Sequence, residues 1–458
     1  MTLDYENTRE EIQSYITGLI KNFCSDWVVS GIIRDENQIR FSSNKIDINK
    51  NWKDLRFQLF LSNKRRTLEM AITDLRKTAI KETLVYCKKL LDNAKRNSFY
   101  KKLPKGPFEY IDENIKIFDK SVLELEEKSI DIIQKAIEAS LQQGAKRVAG
   151  SFFFGYTDTK LQTSEDLEGS YKKTNLNFRV RAFAEDMYAT GEGLSVSTHL
   201  TKYFDPVGAA EEAGEICRMA VGGKKGTPGT YNIIIYPKVS TELQAPTPAI
   251  GMNTYIKKMG LSWLAGKKEG DKIGSDIVSA WDDGTIDYGL ASAPFDDEGV
   301  PMKKTLLIEN GIVKNYFTNT SLSRRNAEST GNAGITIPKP TNTVFNAGDC
   351  TLEELMEISE KPTLLITSTW YTRYQSYAPP GILSSLPKDG MFLVRKNGEI
   401  LEPVRELRIN SNHFHMLENT LAMGKKLKQV YTWLSTSNNP VFAPFMLISD
   451  IQMTTGTK

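Results

Sequence analysis

Histidine is nearly missing from this 458-residue chain, which holds only His199, His413 and His415. No HExxH or HExxxH occurs, so two imidazoles cannot meet a zinc ion from one helix face in the usual protease manner. His413 and His415 stand two positions apart, a spacing that sends their rings to different sides of a helix. On a strand they could share a face, yet no third Cys or His ligand stands nearby in sequence, and structural or surface roles are the simpler reading. Cysteine is also scarce: Cys24, Cys87, Cys217 and Cys350 include no CxxC pair. That pattern suits reduced, mostly buried thiols in a cytoplasmic protein. No apolar run approaches the roughly 18 residues a membrane helix needs, and the opening MTLDYENTREEIQSY is too polar and acidic for a signal peptide. An excess of one charge is absent as well, since 59 Lys and Arg against 56 Asp and Glu leave a net +3. The basic pairs Lys101-Lys102, Lys172-Lys173 and Lys224-Lys225 are scattered rather than striped, so no direct nucleic-acid partner is expected. GxSxG and a Walker loop are missing, and Gly191-Glu192-Gly193 is too little for a dinucleotide site. These absences leave a cytoplasmic protein without membrane contact and without a visible self-sufficient active site.

What is present is globular: 40% hydrophobic and 25% charged residues, over a length that exceeds one ordinary core. Helical spacing marks Arg9–Phe23, Ala71–Leu91 and Ser121–Gln143. Strand character marks Val28–Ile33, Gln38–Ile46, Arg147–Phe154 and Leu176–Ala184; in the last, Leu176, Phe178, Val180 and Ala182 alternate cleanly. Asp205-Pro206 opens a helix to Ala220, with Asp as N-cap and Pro in the first turn. Gly222–Gly229 then reads as a boundary, dividing an N-terminal domain, 1–221, from a C-terminal domain, 230–458. Beyond it short strands are expected at Tyr231–Tyr236, Thr305–Ile308, Ile312–Thr318, Thr363–Thr369, Gly390–Arg395 and Phe442–Gln452. Asn310-Gly311 and Asn397-Gly398 are hairpin signals, Thr351–Glu354 is a capping box, and a last helix spans about Ser411–Leu427. The expected fold is α+β: an N-terminal α/β domain with long helices, then a mainly antiparallel β domain.

Two clusters carry chemistry. Asp296-Asp297-Glu298-Gly299 places three carboxylates in a row. They could bind a metal or serve as acid and base, but neighbours on a loop seldom converge on one ion, and a turn-locking role is the simpler reading. Thr367–Gln375 sets Trp370, Tyr371, Arg373 and Tyr374 at a strand end. Rigid aromatic area plus a guanidinium suits a peptide- or partner-binding surface, and the alternative is that Trp370 and Tyr374 are core.

Asp296–Gly299 followed by Thr305–Gly311 resembles the DDEG…LIENG block of the TldD/PmbA peptidase family, which also carries the older label modulator of DNA gyrase. Pro340–Thr343, Gly398–Val404 and Leu407–Asn410 are similar to further blocks of that family, and Thr369–Tyr374 resembles its PmbA (TldE) branch. Gln38–Phe41 and Arg179–Arg181 agree more loosely with its variable N-terminal half. The resemblance implies two domains enclosing a cavity and a dimeric assembly. In the TldD branch, a helix with HExxxH and a cysteine in a late loop hold the metal of a peptidase. The matching helix is expected within Ala249–Leu264, which has no histidine or glutamate, and the late loop Ser435–Val441 has no cysteine.

The resemblance therefore implies no catalytic residue and no metal in this chain, with zinc only in a TldD-like partner. The leading expectation is a TldE/PmbA-like subunit of a metallopeptidase complex that degrades or trims unfolded peptides, paired with a TldD-like chain or a second copy of itself. The alternative is a stand-alone peptide- or protein-binding homodimer without hydrolytic activity.

Overall fold

The computed structural model describes residues 4–110, 115–324, 328–359, 361–376, 378–431 and 439–456. It is a mixed α+β fold built on three sheets. The first is six-stranded: β1 (Asp26–Ser42), β2 (Lys45–Asn63), β3 (Arg66–Ile72), β4 (Arg147–Thr163), β5 (Glu168–Phe183) and β6 (Thr190–Ser197), in the order β3-β2-β1-β4-β5-β6. Every neighbouring pair in it is antiparallel, so this half has no parallel βαβ sheet and the expected α/β label gives way to α+β.

Among the described residues, four α-helices of this half cover one face of that sheet. The helix α1 (Tyr5–Ile20), capped by the Asp4 carboxylate, and α2 (Lys77–Asn93) bury Ile12, Ile16, Ile20, Ile80 and Leu84 against Val29, Ile33, Phe57 and Leu59. The next pair, α3 (Glu126–Gln142) and α4 (Pro206–Met219), bury Ile133, Ala136, Ala210 and Ala213 against Phe41, Phe152, Leu176, Phe178 and Val180. Each fully buried Ile, Leu, Val or Phe among these contributes about 1.5–3 kcal/mol. Gly191 and Gly193 let α4 approach β6: a Cβ on Gly193 would lie 1.8 Å from the Ala209 carbonyl, and one on Gly191 2.0 Å from that of Ala213. The Gly-Glu-Gly sequence is thus a helix-packing surface.

Alternation along β5 leaves the opposite face polar. Leu176, Phe178, Val180 and Ala182 are buried under the helices, while Lys173, Asn175, Asn177, Arg179 and Arg181 are half-buried and look toward the second half of the chain.

Residues after 223 make the other two sheets, one of eight strands and one of six, with both parallel and antiparallel pairs. Their shared core holds Ile233, Ile235, Trp263, Phe317, Phe345, Ile366, Ile409 and Ile448. The Thr351 capping box forms, with its hydroxyl on the Glu354 N–H and the Glu354 carboxylate on the Thr351 N–H. Asn310 and Gly311 both take positive φ, as a two-residue hairpin turn requires.

Several expected elements differ. Val28–Ile33 and Gln38–Ile46 fall largely on one strand, β1, because its pairing with β2 continues from Asp26 to Ser42. The expected helix from Ala71 begins at Lys77, since Ala71 and Ile72 pair with Gln58 and Phe57. Of Ile312–Thr318 only Ile312–Val313 is strand, because Phe317 turns to bond the backbone of Met252 and Thr254. The expected helix at Ser411–Leu427 is helical only over His413–Glu418; Thr420–Met423 instead pairs with Met446–Ile448. Ala249–Leu264 is helical only in short turns, with α-helix at Thr254–Lys258 and a left-handed Gly260 ending it.

Candidate functional site

The segment 237–251, which meets β6 where Lys238 donates to the Glu192 carbonyl, has side chains that are nearly all buried despite their polarity. Val239, Leu243, Ala245 and Ala249 enter the core, while Lys238, Ser240, Thr241, Glu242, Gln244 and Thr247 are buried beside them. Pro246 and Pro248 deny the segment two backbone donors, so it forms a 3₁₀ turn, one α turn and a wide π turn rather than a continuous helix.

Glu242 is the central group of this segment. Its carboxylate accepts a short hydrogen bond from the Thr372 hydroxyl, which lies 2.7 Å from Ser385 Oγ, and its carbonyl accepts from Tyr374 Oη at 2.7 Å. Burial raises the Glu242 carboxyl above the ordinary range, its hydrogen bonds with Thr372 and Thr369 pull the other way, and the nearby Glu192 charge adds to the rise. Lys238, itself buried, donates to the Glu192 carbonyl. Beside this group lies a second buried carboxylate, Asp389. It accepts from Thr190 Oγ1 at 2.5 Å and Ser368 Oγ at 2.6 Å, and meets Arg181 at 3.3 Å, tying β5 and β6 to the strand Thr363–Tyr374. Arg181 also lies 5.8 Å from the Trp370 ring centroid.

The four aromatic and arginine positions singled out in sequence divide here. Tyr374 turns inward, onto Glu242 and 5.6 Å from the His413 ring, while Trp370, Tyr371 and Arg373 stand exposed. Trp370 is flanked by Arg181 and Lys388. His413 is sandwiched between Tyr374 and Trp263, the latter at 4.0 Å, and burial pulls its imidazole down to about 3, so it is neutral.

The three adjacent carboxylates also separate. Asp296 is buried, with Oδ1 accepting from the N–H of Glu298 and Val300 and Oδ2 from that of Ala333. Asp297 is half-exposed on the wall of a cavity and pairs with Lys339 at 2.6 Å. Glu298 is buried; one oxygen accepts from the Thr320 N–H and the other has no hydrogen-bond partner among the described residues. Burial lifts both the Asp296 and the Glu298 carboxyl, and the three backbone N–H groups on Asp296 pull that carboxyl back toward its charged form.

These donors do not fit a zinc ion. Such a site needs three or four N, S or O ligands converging at about 2.0–2.3 Å. Glu242 is held by hydroxyls, His413 lies between two aromatic rings, and Cys24, Cys87 and Cys217 are buried. Among the described residues no three His, Cys, Asp or Glu side chains gather. Of the late loop Ser435–Val441, residues 435–438 lie outside the described residues. What these residues can do is offer hydroxyls, side-chain amides and guanidinium groups to a polar chain.

Sequence reasoning missed Glu242, Asp389 and the polar row on β5. The row was visible as the residues between Leu176, Phe178 and Val180, but which face met the second half was not.

Residues 228–455 match the family model described as the PmbA/TldA metallopeptidase C-terminal domain. A metalloprotease of Methanocaldococcus jannaschii is 40% identical over 104 residues, 21% of this chain and 23% of that protein. A metalloprotease TldD homolog of Buchnera aphidicola is 24% identical over 226 residues, 48% of this chain and 46% of its own length. The chain thus spans less than half the length of these curated relatives. Among solved structures, a candidate DNA gyrase modulator from Thermotoga maritima superposes with a TM-score of 0.82 at 20% identity, covering 97% of this chain and 100% of that one. TldE from Thermococcus kodakarensis superposes with a TM-score of 0.80 at 16% identity, covering 96% and 100%. At these identities the structural likeness shows the fold.

Proposed function

Because residues 228–455 belong to the PmbA/TldA metallopeptidase C-terminal domain family, we propose that this chain is the non-metal subunit of a TldD/TldE-type metallopeptidase complex acting on unfolded peptides. The observation that carries the reading is the furnishing of segment 237–251. Its one carboxylate, Glu242, is clasped by Thr372 and lies near Ser385, and no imidazole or thiolate among the described residues converges on it. In this role the polar row of β5 holds and orients an extended chain, and the exposed Trp370, Tyr371 and Arg373 contact the peptide or a TldD-like partner. A zinc-bearing partner supplies the hydrolytic chemistry.

Two measurements test this. Elemental analysis after dialysis is expected to find no stoichiometric zinc, and one tightly held zinc per chain would sink the assignment. Mixing the chain with a TldD-like chain is expected to yield peptide cleavage that neither shows separately. Peptide binding without cleavage in any such mixture would favour the stand-alone homodimer instead.

A further inference from the structure

At the other end of the β5 row, away from Glu242, lies a cavity of about 550 Å³ between the first sheet and the loops of the second half. Lys173 stands in it, half-buried, and its ammonium has one hydrogen bond among the described residues, to the Ser292 carbonyl at 3.4 Å. Charges around the cavity are otherwise matched. Asp297 is taken by Lys339 at 2.6 Å, and Glu36 lies 3.8 Å from Arg34 and accepts from Asn175. Lys173 is therefore the surplus cation, without a carboxylate within ion-pair distance among the described residues. Withdrawing an ammonium from water without a counter-ion is costly, and an anionic ligand would offset that cost through a charge-assisted hydrogen bond.

The surroundings narrow the ligand. Asn175 and Asn177 follow Lys173 on the same face of β5, about 7 Å apart along the strand, which matches alternate residues of an extended peptide. Phe153 and Phe295 give apolar wall for one side chain. Beyond Lys173 the row is closed, because Tyr171 packs edge-on against Phe295 with ring centroids 5.3 Å apart. A chain lying along Asn177 and Asn175 must end at Lys173. Resting on the peptide-handling reading above, we propose that this cavity receives the free C-terminal carboxylate of the peptide, with Lys173 as its counter-ion.

Burial, and then repulsion from Lys339, bring the Lys173 amine down to about 8 against the weaker pull of the Asp297 carboxylate, so it is still mostly protonated at neutral pH and able to pair.

The test uses the purified full chain and fluorescence anisotropy with three labelled eight-residue peptides. They are a non-acidic peptide with a free C-terminus, its C-terminal amide, and an amidated version with Glu at the penultimate position. The free acid is expected to bind at least tenfold tighter than either amide. Lys173→Met should abolish that preference while leaving amide binding unchanged, and Lys173→Arg should keep part of it; circular dichroism and melting confirm that both variants fold. Equal binding of acid and amide, a preference that survives Lys173→Met, or no binding of the free acid would each overturn the inference. Equal binding of the Glu peptide and the free acid would overturn the assignment to a chain terminus. Cleavage by the mixed subunits is scored separately. Normal cleavage without an acid preference sinks this inference alone, while an acid preference without any cleavage sinks the subunit reading and leaves the carboxylate site standing.

Discussion

Asp296 makes a sharp test of how the Asp296-Asp297-Glu298 sequence works, because its neighbour differs from it in everything but chemistry. Asp296 is buried and accepts three backbone N–H groups, at 2.9, 3.0 and 2.8 Å, joining its own turn to Ala333. Replacing it by Ala strands three buried donors, each costing about 1–3 kcal/mol. Neighbouring losses add incompletely, so the total is on the order of 3–6 kcal/mol. Asp296→Asn retains one carbonyl oxygen, able to serve Glu298 and Val300, but sets an amide donor against the Ala333 N–H, for a loss of about 1–3 kcal/mol. Asp297→Asn removes an ion pair whose two side chains are 42% and 50% exposed, worth under about 1 kcal/mol. Urea unfolding of the three variants, followed by circular dichroism, should rank them Asp296→Ala, Asp296→Asn, Asp297→Asn. If Asp297→Asn destabilised as much as Asp296→Ala, the assignment of the lock to the buried carboxylate would be wrong.

Glu298 has a folded-state carboxyl raised by burial, so its favourable contribution is present below the ordinary carboxylate range and is lost as pH rises through the folded value. Glu298→Gln should therefore gain melting temperature over the parent between pH 5 and pH 9, and a pH-independent difference would refute this. Gly193→Ala should cost about 1–3 kcal/mol or more by pushing α4 off β6; unchanged melting would show that the helix shifts freely. Arg373 is exposed, so Arg373→Ala should alter stability by under about 0.5 kcal/mol. It should weaken partner or peptide binding by about 1 kcal/mol or more, and lost stability with unchanged binding would make the segment structural.

Local rules made part of this protein legible from its residues. The Thr351 capping box, the Asp205-Pro206 helix start and the Asn310-Gly311 turn each depend on a few adjacent residues, and each forms where its residues stand. The central turns of the long helices and the alternation of β5 also form as expected, since both periods are set by covalent geometry. The apolar content of Thr420–Met423 and Ala71–Ile72 fitted a helix equally well, and strand pairing with distant partners decided against it. The site lay further out of reach. Glu242 gains its character from Thr372, 130 positions away, and Asp389 from Thr190, 199 positions away. Lys173 is a surplus cation only because Asp297 is already taken by Lys339. Sequence determined which side chains share a face of a strand or helix, because that follows from bond geometry over a few residues. Which faces meet, and so which charges are buried without a counter-ion, was decided by the packing of the first sheet against the second half, where burial and pairing distance set the energies.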